Sequence, residues 1–278
     1  MKRMLVLPLL LLTTAAAAAR PRADVIRTVH FSAVDASGVH VADLTAADLT
    51  VKEGGKDRGI AAVRPATAPM QLSILVDDGG TGGFQGALSQ FIQATFGRAA
   101  YTIRILSPQA IKVVDFTQDG DDLRAAIMRL GPRGRILLDT EQIIAGVTDA
   151  AKELHERRAQ RASIIVFTAA GEKTQSDLAD EAMAALKNSG SSLSVVYVTG
   201  VQLGRVLGDG PRNSGGMIEQ VTGNIGLPAP MAKLAANLRN QYVLTYTVPD
   251  GVKLNDRLSL STSRKGVKLI APTRLPDR

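Results

Sequence analysis

The sequence has no cysteine and no tryptophan, only three histidines, and 4% aromatic residues across 278 positions. The missing cysteine excludes disulfides, iron–sulfur clusters, thiolate zinc sites and cysteine nucleophiles together. His30, His40 and His155 lie far apart without an H-x-x-x-H pair, so no zinc-peptidase pattern is present. No G-x-S-x-G elbow occurs either. Aromatics are too sparse to stack nucleobases, and the 33 Lys+Arg are scattered among 26 Asp+Glu, dense only from Glu156 to Arg161. That balance reads as solvated helix faces, and no nucleic-acid partner is expected.

What is present describes a globular chain, with 45% hydrophobic and 21% charged residues. Met1-Lys2-Arg3 is a short basic start, the run from Met4 to Leu12 is apolar, and the alanine tract ends at Ala17-Ala18-Ala19. This is the pattern of a secretory signal peptide over residues 1–19, since an apolar stretch of about 16 residues falls short of a membrane span. No later segment reaches spanning length, so the mature chain is expected to be extracytoplasmic, periplasmic or secreted, without a membrane span.

Residues 20–66 read as an N-terminal β segment. Val25–Val34 is rich in β-branched residues, Asp35-Ala36-Ser37-Gly38 is turn chemistry, and Val39 and Val41 start a second strand. Thr45–Asp48 resembles a capping box for one helical turn, and Leu49–Glu53 and Ile60–Val63 alternate again. From 69 to 239 the rhythm becomes βα. Leu72–Val76 is a nearly continuous apolar run of the kind buried on both faces of a sheet. Strands at 101–106, 111–116, 163–168 and 193–198 alternate with helices at 84–96, 119–130, 139–158 and 177–188. A helix near 216–221, a short strand near 223–226 and a helix at 229–239 complete the pattern. Residues 240–278 return to β, with Tyr242–Val248 and two segments, 257–263 and 267–270, that pair with each other around Lys265-Gly266. The expected fold is α/β: a doubly wound, mostly parallel sheet inserted between two β ends that pack as a small β domain.

The segment with most chemistry is Ile74-Leu75-Val76-Asp77-Asp78-Gly79-Gly80-Thr81-Gly82-Gly83, which sets a carboxylate at the C-terminal end of the first central strand, where open α/β sheets bind ligands. With Val34–Gly38, Leu44–Lys56 and Leu238–Tyr246, in this order and spacing, it resembles the von Willebrand factor type A domain. It is most similar to the bacterial exported family called VWFA-related, in which β segments flank that domain. The resemblance implies adhesion or complex assembly, with a divalent ion held by Asp-x-Ser-x-Ser and by a threonine and an aspartate from two further loops. In this chain Asp77 and Thr81 match that pattern, while Gly79, Arg135 and Ala169 stand where three other ligand residues belong. A guanidinium about 5 Å from a divalent ion would oppose it by about 6–7 kcal/mol at an effective dielectric near 20. The metal site is therefore expected to be degenerate, with no cofactor. Arg135 either replaces the cation by pairing with Asp77 or Asp78, or points into solvent.

The expected function is a non-enzymatic, exported protein-binding module. Asp77, Asp78, Thr81, Arg135 and Glu172 would form its partner-binding rim, the partner being an unknown protein. The alternative is a small-molecule or nucleotide-binding enzyme using the crevice at Asp77–Gly83. Gly80–Gly86 follows a strand and opens a helix, but Gln85 stands where a dinucleotide fingerprint has its third glycine, and no P-loop lysine follows.

Overall fold

The structure is a computed structural model that describes residues 24–134, 136, 140–172, 177–223 and 226–277; the predicted signal peptide lies outside the described residues. The chain opens with β1 (Val25–Val34). A 3-10 turn at Ala46–Asp48 leads into β2 (Leu49–Glu53), β3 (Lys56–Arg58) and β4 (Ile60–Pro65). The central part contains β5 (Met70–Asp77), α1 (Gln85–Thr95), β6 (Ala99–Ile105), β7 (Ile111–Thr117), α2 (Gly120–Met128), α3 (Thr140–Glu156), β8 (Ala162–Thr168), α4 (Asp177–Ser189), β9 (Ser192–Val198), α5 (Arg205–Ser214), β10 (Ile218–Val221) and α6 (Pro228–Arg239). It closes with β11 (Tyr242–Val248), β12 (Leu258–Thr262) and β13 (Lys268–Ile270).

The central sheet has the order β10-β9-β8-β5-β6-β7, parallel except for β7, which runs antiparallel to β6. Counted in chain order this is 3-2-1-4-5-6 read from one edge, the doubly wound arrangement whose topological switch lies between the first and fourth strands. Here those strands are β5 and β8. Leu72, Ile74 and Val76 of β5 face α1 and α6 through Leu88, Phe91, Leu234 and Leu238. Leu75 faces the other helical layer, with Ile143, Val147 and Leu186 of α3 and α4. Both faces of β5 are thus covered, which explains its nearly continuous apolar run, broken only by Ser73.

The two terminal β segments pack together as expected, and their pairing is β1 with β11 from Val25↔Val248 to Phe31↔Tyr242, and β2 with β12. Val29, Phe31, Tyr242, Leu244 and Tyr246 share their core. The Glu53 carboxylate is buried in it, accepting from Tyr246 Oη at 2.6 Å and Asn255 N at 2.8 Å, with Arg27 at 3.2 Å. Besides contacts of its C-terminal segment with α4 and α5, two contacts near the chain crossings fasten this β body to the central sheet. Asn237 of α6 donates to Ser32 Oγ at 2.6 Å. Arg161, just before β8, donates from Nε to Gln241 Oε1 at 2.9 Å, from Nη1 to the carbonyls of Ala66 and Ala68, and from Nη2 to that of Leu238.

Three local expectations are corrected. Residues 218–221 form a strand rather than a helix, added parallel to β9; the helix lies earlier, at Arg205–Ser214, where Gly208, Gly210 and Pro211 disguise it in the sequence. Gly210 packs this helix closely on β9 and α4, where a Cβ would press on the Leu193 and Leu186 side chains. The two last strands do not pair with each other: β12 joins β2 and β13 joins β1. Around Val39–Val41 there is only a single bridge, His40 to Val34. The strand expected near 223–226 includes positions outside the described residues. Asp119 caps α2, accepting from Asp121 N and Asp122 N, as helix-entry acids do.

Candidate functional site

Parallel pairing brings the C-terminal ends of β5, β6 and β8 together, and the crevice between them is where a doubly wound sheet presents its ligand site. Asp77 ends β5 there and is fully buried. Its Oδ1 accepts a hydrogen bond from Ser107 Oγ, placed by the turn after β6, and its carbonyl accepts from Ala169 N at 2.8 Å after β8.

Asp78 is also buried, at 2% exposure, and its carboxylate is engaged on both oxygens. Oδ1 accepts from Gly80 N at 2.9 Å and from Arg133 Nη2 at 3.0 Å; Oδ2 accepts from Gly82 N at 2.7 Å. The carboxylate therefore folds the glycine loop around itself and holds a guanidinium from the loop after α2. Two backbone bonds reinforce that union, Arg133 N to Gly80 O at 2.8 Å and Ile136 N to Gly79 O at 2.9 Å. Such close approach is why glycine is required. Gly80 has φ +78° and a Cβ on it would lie 2.1 Å from Gly134 O; Gly82 has φ +73° and its Cβ would lie 2.8 Å from Pro132.

The remaining predicted residues are placed as follows. Thr81 is exposed, but its hydroxyl donates to Asp78 O at 2.9 Å and accepts from Gly83 N at 3.2 Å, so it is turned back on its own loop. Gly79 and Ala169 bring no side-chain oxygen. Thr168 Oγ1 accepts from Ala170 N and donates to Ala170 O. Glu172 is buried beneath the rim. Its two carboxylate oxygens accept from Val206 N at 2.8 Å and Leu207 N at 2.7 Å, where they complement the N-terminus of α5. Arg135 lies outside the described residues.

The sequence reading overlooked Ser107 and Arg133. Ser107 had a signal available, as the first residue after an apolar strand that neighbours β5. Arg133 did not stand out because motif spacing points to Arg135; what selects Arg133 is the backbone contact of Pro132–Gly134 with Gly80 and Gly82.

These donors do not fit the divalent ion that the type A resemblance implies. A hard dication needs a near-octahedral set of oxygens, yet Asp78 already accepts from two N–H groups and a guanidinium, Thr81 serves its own loop, and two ligand positions are Gly79 and Ala169. Among the described residues no group of three or more His, Asp or Glu side chains is placed to hold a metal. No helix among them is long and apolar enough to cross a membrane.

The chain matches no protein-family model, and no curated protein is similar to it. Among solved structures it is similar to proximal thread matrix protein 1 of the mussel byssus, with TM-score 0.47 and 10% identity over 63% of this chain and 49% of that one. A von Willebrand factor type A structure from Catenulispora acidiphila gives TM-score 0.46 and 10% identity, covering 93% and 75% of the two chains. The VWA domain of SpRpn10 gives 0.42 and 11%, covering 62% and 93%. The chain spans about half the length of the byssus protein. The fold assignment rests on the strand order and switch-point geometry: this is a type A-like fold with an added antiparallel β body.

Proposed function

We propose that this chain is an exported, non-enzymatic protein-binding module whose crevice rim recognises its partner through protein groups, without a divalent ion. The observation that carries the reading is the engagement of Asp78. Its carboxylate, next to the motif's Asp77, accepts from Gly80 N, Gly82 N and the Arg133 guanidinium, so the acidic pair of the crevice already has an arginine as a cationic partner. The same arrangement disfavours the enzymatic alternative, because a general base must be within reach of a substrate proton and Asp78 is buried and occupied. Export is supported by the basic, apolar and small-residue pattern of residues 1–19.

The test is thermal unfolding with chelator, then with millimolar magnesium, manganese or calcium. A ligand that binds only the native state raises the midpoint in proportion to its occupancy. The expected result is superimposable curves. A saturable rise with any of the three ions, abolished by Asp77→Ala, would overturn the metal-independent reading.

A further inference from the structure

At the opposite end of β8 and β9 from Asp77, a groove of about 1820 Å³ separates the β body from the base of the central sheet. Small-molecule sites occupy roughly 300–1,000 Å³. One wall here is the run Val25–His30 of β1, about 20 Å of extended chain at about 3.3 Å per residue. Such a slot matches a polypeptide segment in length.

Its charge is unbalanced. Of the cations lining it, Arg27 pairs with Glu53, Arg205 with Asp180, Arg274 with Asp256, and Lys187 with Asp256 and Asp277. Arg64, Arg158 and Arg161 have no carboxylate partner among the described residues, and Glu156 is the one lining acid outside those pairs. Arg161 is 7% exposed, and all its hydrogen-bond acceptors are neutral oxygens, so its charge is buried without a counter-charge. Burial, with the Arg98 guanidinium nearby, brings its pKa down to about 10.

Arg158 adds an independent observation. It occupies the left-handed position after α3 at φ +50°, with Ala159 N bonding Leu154 O at 3.2 Å around it. Glycine is the ordinary occupant of that position, and an arginine there is held against a backbone penalty. Its side chain is exposed toward the groove entrance.

We propose that this groove docks an extended, acidic segment of a partner protein, its carboxylates received by the exposed Arg64 and Arg158 and attracted by the uncompensated charge of Arg161. Carboxylate–guanidinium pairing is charge-assisted and planar, and a flat lipid surface cannot follow the chain path of a groove. No phenylalanine or tyrosine lines the groove among the described residues, so a nucleic acid would lack the large aromatic platforms on which bases stack best.

The test is fluorescence anisotropy of a labelled octaglutamate peptide with the protein, alongside octaglutamine, a single-stranded oligonucleotide and phosphatidylserine vesicles. Saturable octaglutamate binding is expected, weakened by salt and reduced about tenfold by Arg64→Glu and by Arg158→Gly. Arg158→Gly relieves the backbone and should not lower the unfolding temperature, so its loss of binding is not a loss of fold. Absence of octaglutamate binding, equal binding of octaglutamine, tighter binding of the oligonucleotide or vesicles, or undiminished binding by both folded variants would each overturn the proposal.

Discussion

The Arg133 guanidinium stands 3.0 Å from Asp78 Oδ1, joining the loop after α2 to the glycine loop after β5 across the crevice of the sheet. Asp78 is buried, whereas the Arg133 side chain keeps 25% of its surface in solvent. The pair is therefore asymmetric: the carboxylate depends on its partners more than the guanidinium does.

That asymmetry predicts unequal costs of removal. Asp78→Ala leaves the N–H groups of Gly80 and Gly82 without acceptors in a buried turn, and should lower unfolding free energy by about 3 kcal/mol. Arg133→Ala leaves two backbone donors on the carboxylate and opens it to water, for a cost of about 1 kcal/mol. Urea midpoints of the two variants measure this directly. Equal, small losses would show that the loop does not depend on Asp78.

Gly80 of the crevice loop and Gly97 after α1 make a second prediction, because αL conformation and close backbone approach can be separated. Gly97 has φ +73° with open space around its Cβ direction; Gly80 has φ +78° and meets Gly134 O at 2.1 Å. Gly97→Ala should cost about 1 kcal/mol, the backbone penalty alone. Gly80→Ala should exceed about 3 kcal/mol, since a carbonyl cannot rotate away as a side chain can. Thermal unfolding of the pair decides it, and similar losses would mean the crevice loops part easily.

The same glycines show what sequence can and cannot carry. The apolar run Leu72–Val76, the helical spacing of Phe84, Leu88, Phe91 and Ile92, and the clean alternation of Tyr242–Val248 each express a burial pattern local to one element, so the elements and their class were legible. Pairing between distant segments is another matter. The choice of β2 for β12 and β1 for β13 depends on which edges remain open after the core closes, a property of no single stretch. At the crevice, Asp77 was legible from its position after a buried strand. Arg133 was not, because a loop's contacts follow its backbone path rather than residue spacing. Glu172 was read as a rim group because a lone glutamate in a loop gives no sign of the helix start it will meet; α5 itself was concealed by its glycines and proline.

A pH dependence follows from His30, on the groove wall. Burial, and secondarily the Arg161 guanidinium, lowers its pKa from 6.5 to about 4. The unfolded chain therefore takes up a proton below pH 6.5 that the folded chain refuses until about pH 4. Stability from this residue is fully present above pH 6.5 and is lost as pH falls through that window, with a slope approaching about 1.4 kcal/mol per pH unit at its steepest. Carboxylates titrate in the lower half of the window, so the informative quantity is the difference between wild type and His30→Gln. That difference should change between pH 6.5 and 4 and stay level from pH 7 to 8. A flat difference throughout would mean that His30 titrates alike in the folded and unfolded chain.

The last prediction concerns how the β body is held to the central sheet. Arg161 reaches the Ala66 and Ala68 carbonyls of the incoming connection, the Leu238 carbonyl at the end of α6, and Gln241 at the start of β11. Both crossings of the chain between the two bodies are thus gathered on one guanidinium. Arg161→Gln keeps a polar group but cannot span these acceptors, and leaves several buried carbonyls without donors, at about 1–3 kcal/mol each before water enters. Ser32–Asn237, Asn213–Thr273 and the Lys187–Asp277 pair would then be left to hold the join, the last two at the C-terminal segment and away from the two chain crossings. Because each body keeps its own core, one around β5 and one around Phe31 and Tyr246, the loss should fall on their cooperation. In a Tyr101→Phe, Tyr197→Phe background, which removes the two tyrosines of the central sheet, unfolding followed by far-ultraviolet circular dichroism and by tyrosine fluorescence should coincide with Arg161 present and separate in Arg161→Gln, since Tyr242 and Tyr246 then report on the β body and the helices on the other. Coincident transitions in the variant would place the coupling in the apolar contacts between the bodies instead.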